Sequence, residues 1–261
     1  CDLLRRGARR DDGDDEAESA TGALARDSES GALARDSETG ALARAVRGFP
    51  LAGAAVGLAA AIVFVAARLL GLPMFAAGAA ALATASFASG ALFESGLARF
   101  GETAVRRAGR DELLASMRNR TPGFYGIVVI VCILAMKIGA LAAIAGTGRA
   151  SAALVAAGAV SWTAMPVLLY LLPAAADRGL AARAGVPAFN ELAIAAALAA
   201  AVALLVLGPW TGIIALAFAA VGAFKIYWFS RRMVGGVTGA ALGAAQQAAE
   251  TGVLLAVAAV G

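Results

Sequence analysis

The sequence predicts an all-α fold: a polytopic membrane helix bundle of six to seven transmembrane helices, with a cytoplasmic amphipathic segment between the second and third. Three observations lead there. The 261 residues are 61% hydrophobic and 15% charged, with a mean hydropathy of +0.78, whereas a soluble domain carries about 25% charged residues. The apolar residues gather into runs close to the ~20 residues that a bilayer requires. The arginines outside the first 46 residues concentrate in alternate loops, as the positive-inside rule demands of a multi-pass protein.

Residues 1–46 form a charged tail. They hold 11 of the 18 acidic residues and 7 of the 22 basic ones. Within the tail a nine-residue unit recurs as GALARDSES, GALARDSET and GALARAVR. Nine helical residues turn through about 900°, so Leu24, Leu33 and Leu42 would alternate between opposite faces and give no apolar stripe. A mixed-charge segment rich in Gly and Ser with no apolar face is expected to be disordered.

Residues 47–261 form the membrane domain. Apolar runs lie near 51–72, 73–93, 123–144, 151–172, 192–208, 210–229 and 240–260. Small residues dominate them, as in residues 78–93, GAAALATASFASGALF; such residues let membrane helices approach closely. The stretch 94–122 is polar and carries Arg99, Arg106, Arg107, Arg110, Arg118 and Arg120, while Arg178, Arg183, Arg231 and Arg232 occupy two later loops. The N-terminus and the loops 94–122, 173–191 and 230–239 are therefore expected in the cytoplasm.

Some chemistry is excluded at once. The chain has no histidine, which removes His-based triads and His-ligated metals. No Ser or Cys has an adjacent base for nucleophilic catalysis. The arginines are not interleaved with aromatics, so nucleic acid is not an expected partner; the lipid bilayer is.

Three ionisable residues fall inside apolar runs. Lys225 stands near a helix end and is expected to snorkel. Counted at 1.5 Å per residue, Glu250 lies about 15 Å deep and Lys137 about 21 Å deep. Groups so placed are costly and usually partnered, so an ion pair across the bundle is expected, with Gln246 and Gln247 one turn from Glu250. A transport pathway through Lys137 and Glu250 is the alternative.

Four segments carry a family likeness. Phe49-Pro50-Leu51-Ala52-Gly53 enters the first helix. Phe93-Glu94-Ser95-Gly96-Leu97-Ala98-Arg99-Phe100-Gly101-Glu102-Thr103 follows the second, and Met117-Arg118-Asn119-Arg120-Thr121-Pro122-Gly123 precedes the third. Gly235-Gly236-Val237-Thr238-Gly239-Ala240 opens the last, with Gln247 and Glu250 beyond. In order and spacing, from about residue 44 onward, these resemble adenosylcobinamide-GDP ribazoletransferase, also called cobalamin-5′-phosphate synthase. The resemblance implies a bacterial inner-membrane enzyme that joins α-ribazole, or its 5′-phosphate, to adenosylcobinamide-GDP and releases GMP with Mg²⁺. It also implies corrinoid and ribazole substrates and contact with other cobalamin-assembly proteins.

The family's second motif typically reads His-Glu-Asp-Gly-Leu-Ala-Asp-Thr-x-Asp-Gly. On a helix its aspartates stand at i, i+4 and i+7, one face that can hold Mg²⁺ against a diphosphate. This chain has Phe93 for the histidine, and Ser95, Arg99 and Glu102 for the three aspartates. Asn119 replaces another motif aspartate, Arg120 a serine, and Ala240 the aspartate of a Thr-Gly-Asp motif. Retained are Glu94, Arg118, Gly239, Gln247 and Glu250. The resemblance thus assigns Glu94, Glu102 and Asn119 to catalysis, Glu94 and Glu102 to Mg²⁺, and Arg99, Arg118, Arg120, Gln247 and Glu250 to substrate. A guanidinium 4 Å from the metal position adds a repulsion of about 4 kcal/mol at an effective dielectric of 20. Three functions stay open: a divergent transferase with arginines on the diphosphate, a non-catalytic binder of corrinoid, nucleotide or partner enzyme, and a small transporter.

Overall fold

The structure is a computed structural model that describes residues 45–106, 109–119, 121, 123–176 and 179–260. The repeat tail to residue 44, Arg107, Arg120 and Arg178 lie outside the described residues. A single 3₁₀ turn, Val46–Gly48, leads into α1, Phe49–Leu69. Pro50 sits in the first turn of α1, where its missing N–H costs nothing. One face of α1 (Gly53, Gly57, Ala60, Ala61 and Phe64) is buried, and Leu58, Ile62 and Leu69 on the other stay exposed. That exposed apolar face suits acyl chains.

The second helix, α2 (Met74–Ala88), starts after Pro73 and spans only 15 residues. The chain then reverses through Gly90 and Ala91, both with positive φ, and α3 (Leu92–Ala104) leaves at 94° to α2. The apolar run at 73–93 is therefore a short helix and a break. On α3, buried Phe93, Gly96, Leu97, Phe100 and Gly101 follow the i, i+3, i+4 pattern of an amphipathic helix. A short α4, Arg110–Arg118, has Asp111 and Glu112 in its first turn and Arg118 in its last, matching the helix dipole at both ends.

The remaining helices are α5 (Phe124–Ala143), α6 (Thr147–Leu171), the single-turn α7 (Leu180–Ala184), α8 (Phe189–Leu207), α9 (Pro209–Met233) and α10 (Gly239–Val260). Among the described residues five helices (α1, α5, α6, α8 and α9) are long and apolar enough to cross a bilayer, six spans if α2 and α3 count as one. At 22 residues, or about 33 Å, α10 is long enough, but Gln246, Gln247 and Glu250 make it less apolar.

Although it carries three polar side chains in its middle, α10 is the centre of the bundle. It packs against α3, α5, α6 and α9, and Gly239–Val260 is buried along nearly its whole length. Glycines set the approach. A Cβ on Gly243 would lie 2.9 Å from the Phe93 carbonyl oxygen and 3.0 Å from the Gly96 Cα, so α3 and α10 touch backbone to backbone. Gly53 of α1 and Gly158 of α6 meet in the same way.

The three arginine-bearing loops meet at one end of the bundle. Ala175 N–H donates to the Val237 carbonyl at 2.9 Å and Val237 N–H to the Pro173 carbonyl at 2.8 Å. Arg110 clamps this junction, donating to the carbonyls of Val234 (2.9 Å) and Ala175 (3.0 Å).

Candidate functional site

At that junction lies a pocket of about 270 Å³. Arg99 reaches it from α3, Met117 and Arg118 from α4, Leu180 from α7, and Thr238, Gly239 and Ala240 from the start of α10. Each arginine spends its Nε on a backbone carbonyl one turn back: Arg99 on Ser95 at 3.0 Å and Arg118 on Leu114 at 3.3 Å. Neither forms an ion pair among the described residues, so their terminal nitrogens are available to a ligand. Thr238 caps α10, its Oγ1 accepting from Ala241 N–H at 3.2 Å. The Gly239 and Ala240 N–H groups belong to the first turn, which has no intrahelical acceptors. Two guanidinium groups and a helix N-terminus at one pocket make an anion site.

A second group of polar residues is buried inside the bundle. Lys137, 2% exposed, donates to Glu250 Oε2 at 2.8 Å and to Gln247 Oε1. Gln246 Nε2 donates to Glu250 Oε2 and to Ser161 Oγ, each at 3.0 Å. Gln247 Nε2 and Ser86 Oγ donate to Glu94 Oε1 at 3.2 and 2.6 Å. The expected Lys137–Glu250 pair is present and joined to Glu94. These residues surround a cavity of about 20 Å³, room for about one water.

The sequence-assigned residues therefore separate. Arg99 and Arg118 share the anion pocket, while Glu94, Gln247 and Glu250 belong to the buried network. Gln247 and Glu250, expected at substrate, are here engaged in the network that joins α3, α5 and α10. Glu102 does a third job. Its Oε2 accepts from Gly126 N–H at 3.1 Å and its Oε1 from Arg106 at 3.1 Å. A Cβ on Gly123 would fall 2.5 Å from that carboxylate. Glu102 thus caps the N-terminus of α5, where a negative charge is favoured. Asn119, exposed at the end of α4, folds its Oδ1 back to accept from Thr121 N–H (3.3 Å) and Oγ1 (3.1 Å).

The chain matches the cobalamin-5-phosphate synthase family over residues 31–258, a match that begins inside the repeat rather than near residue 44. It is 36% identical over 210 residues to the adenosylcobinamide-GDP ribazoletransferase of Bradyrhizobium diazoefficiens, covering 80% of this chain and 81% of the relative. The ribazoletransferase of Azorhizobium caulinodans is 36% identical over 214 residues, with coverage of 80% and 81%. That of Rhizobium etli is 37% identical over 226 residues, with 82% and 85%. It belongs to the cobalamin-5-phosphate synthase family. No solved structure matches.

For a cobalamin-5-phosphate synthase family member, Mg²⁺ is the implied cofactor. Mg²⁺ takes near-octahedral oxygen ligands at about 2.0–2.1 Å. Glu94 and Glu102 are eight residues apart on α3, about 12 Å along its axis, and each carboxylate is held by different partners. Among the described residues no three or more Asp, Glu, Cys or His side chains gather into a metal-binding group, and Arg99 and Arg118, not Glu94 or Glu102, line the pocket at the loop junction. The donors among the described residues do not fit Mg²⁺. Sequence reasoning missed Arg110 as the loop clamp and Thr238 as the cap. A Thr-Gly pair just before a helical run was the available signal for Thr238.

Proposed function

We propose that this chain is an inner-membrane member of its family whose pocket faces the cytoplasm and takes the diphosphate of adenosylcobinamide-GDP without Mg²⁺. Arg99, Arg118 and the first turn of α10 supply the positive charge. The carrying observation is their convergence, with no carboxylate among the described residues that line the pocket. The pocket sits at the small end of ligand sites, about 300–1,000 Å³, so it accommodates the phosphates while the corrinoid lies outside, over the loops.

In the transfer, an α-ribazole hydroxyl attacks the phosphorus that bears the corrinoid. A new O–P bond forms, the bridging P–O bond breaks, and GMP leaves with that electron pair while the hydroxyl proton passes to water. Such transfers depend on positioning and on neutralising the phosphoryl oxygens, which forked guanidinium groups do well. One observation favours a second reading, binding without turnover: no Asp, Glu or Lys among the described residues lines the pocket to take the hydroxyl proton.

One experiment separates these readings. The detergent-purified protein is incubated with adenosylcobinamide-GDP and α-ribazole, with Mg²⁺ or with a chelator, and GMP release is followed. Equal release in both supports metal-free transfer. Tight substrate binding without release supports the binder, and release only with Mg²⁺ refutes the pocket chemistry proposed above.

A further inference from the structure

Two buried acceptors beside the small cavity, Glu94 Oε2 and Gln246 Oε1, receive no hydrogen bond from the described residues. Gln246 is 3% exposed. Its amide nitrogen is committed to Ser161 and Glu250, which leaves its oxygen free. Neighbouring side chains direct their hydrogen bonds to other acceptors, with one N–H each of Lys137 and Gln247 left over. Ser86 Oγ and Gln247 Nε2 are on Glu94 Oε1, Ser89 Oγ is on the Ser86 carbonyl, and Lys137 is on Gln247 and Glu250. Three ionisable side chains line the cavity: Glu94, Glu250 and Lys137. Ionised, they sum to one uncompensated negative charge, and a membrane bundle tolerates such a charge poorly unless something pairs it.

We propose that this cavity binds one monovalent cation of about the size of sodium, held by Glu94 Oε2 and Gln246 Oε1 with the Glu250 carboxylate alongside. Size, donor type and charge each narrow the ligand. A volume of about 20 Å³ admits one water-sized particle. The free atoms are both oxygen acceptors, the hard ligands that such cations take. A lone water satisfies the acceptors and leaves the charge. A proton on Glu94 removes the charge and makes its carboxyl a donor, the alternative that the test below decides. A divalent ion overshoots the charge and demands more ligands than the cavity offers. A small monovalent cation meets all three conditions at once.

The test uses the whole chain in detergent with a divalent chelator and needs no corrinoid, so it stands or falls apart from the transferase reading. Melting is followed in sodium, potassium and choline chloride at equal ionic strength, and equilibrium uptake of radiolabelled sodium is measured alongside. Expected are a saturable rise in melting temperature with sodium over choline and uptake of one sodium per chain. Both should be lost in Glu94→Gln, with folding checked by circular dichroism. Equal melting in sodium and choline with no sodium bound overturns the proposal, leaving a water or a proton in the cavity. A folded Glu94→Gln protein with the full sodium response overturns it too. Should that variant not fold, sodium uptake by the unaltered chain decides.

Discussion

Replacing Lys137 with Met strands a carboxylate inside the bundle. Lys137 is 2% exposed and its Nζ lies 2.8 Å from Glu250 Oε2; without it, Gln246 Nε2 at 3.0 Å is what remains on that oxygen. Breaking a buried pair from one side costs about 3–5 kcal/mol. The unfolded chain in a membrane also finds partners, and single interhelical hydrogen bonds there average about 0.6 kcal/mol. A net loss of about 3 kcal/mol follows, roughly a hundredfold in the unfolding equilibrium. Adding Glu250→Gln removes the second charge and keeps an amide for Gln246, so the double variant should sit only about 1 kcal/mol below the original chain. The assay is reversible unfolding in mixed detergent and sodium dodecyl sulfate, read by helical circular dichroism. A Lys137→Met protein as stable as the original refutes the reasoning. So does a double variant whose loss equals the two single losses added together.

Other expectations follow from the same contacts. Gly158→Ala drives a methyl into the Gly53 carbonyl and should cost about 1–3 kcal/mol as overpacking, measured in the same unfolding assay. Glu102→Ala removes the acceptor for Gly126 N–H and the partner of Arg106; it should lower the melting temperature, by less than Lys137→Met does. Arg99→Gln and Arg118→Gln should each weaken metal-free GDP or pyrophosphate binding by roughly tenfold or more, read by calorimetry, while leaving the melting temperature nearly unchanged. Arg110→Gln should instead lower the melting temperature, because Arg110 holds the carbonyls of Val234 and Ala175.

Much of the bundle was legible because bilayer-length apolar runs are a long, redundant signal. The Lys137–Glu250 pair was legible too, since two opposite charges in apolar runs have few alternatives to meeting. The break at 89–91 was not. Its cause is Ala91 in a left-handed conformation beside Gly90, and an alanine gives no warning of that backbone. The central place of α10 also went unread, because hydropathy ranks helices by affinity for lipid and a helix enclosed by others has no lipid to face. The site was half legible. The resemblance pointed to Arg99 and Arg118, which line one pocket, but it could not show that Glu102 is used up on a helix terminus or that Gln247 is held inside the bundle.

The position of α10 bears on how the protein is made. Helices leave the ribosome in sequence order, and the helix that the others wrap around follows all nine of them. Until it arrives, Gly96 of α3 and Gly222 of α9 have no partner backbone to close on, and Lys137 has neither Gln247 nor Glu250. The earlier helices, with α1 and α6 already closed on each other through Gly53 and Gly158, await it with that side of the bundle open. The polar side chains of α10 then meet their partners as it docks onto the helices before it. A ribosome that stops before residue 239 leaves the arch without its keystone.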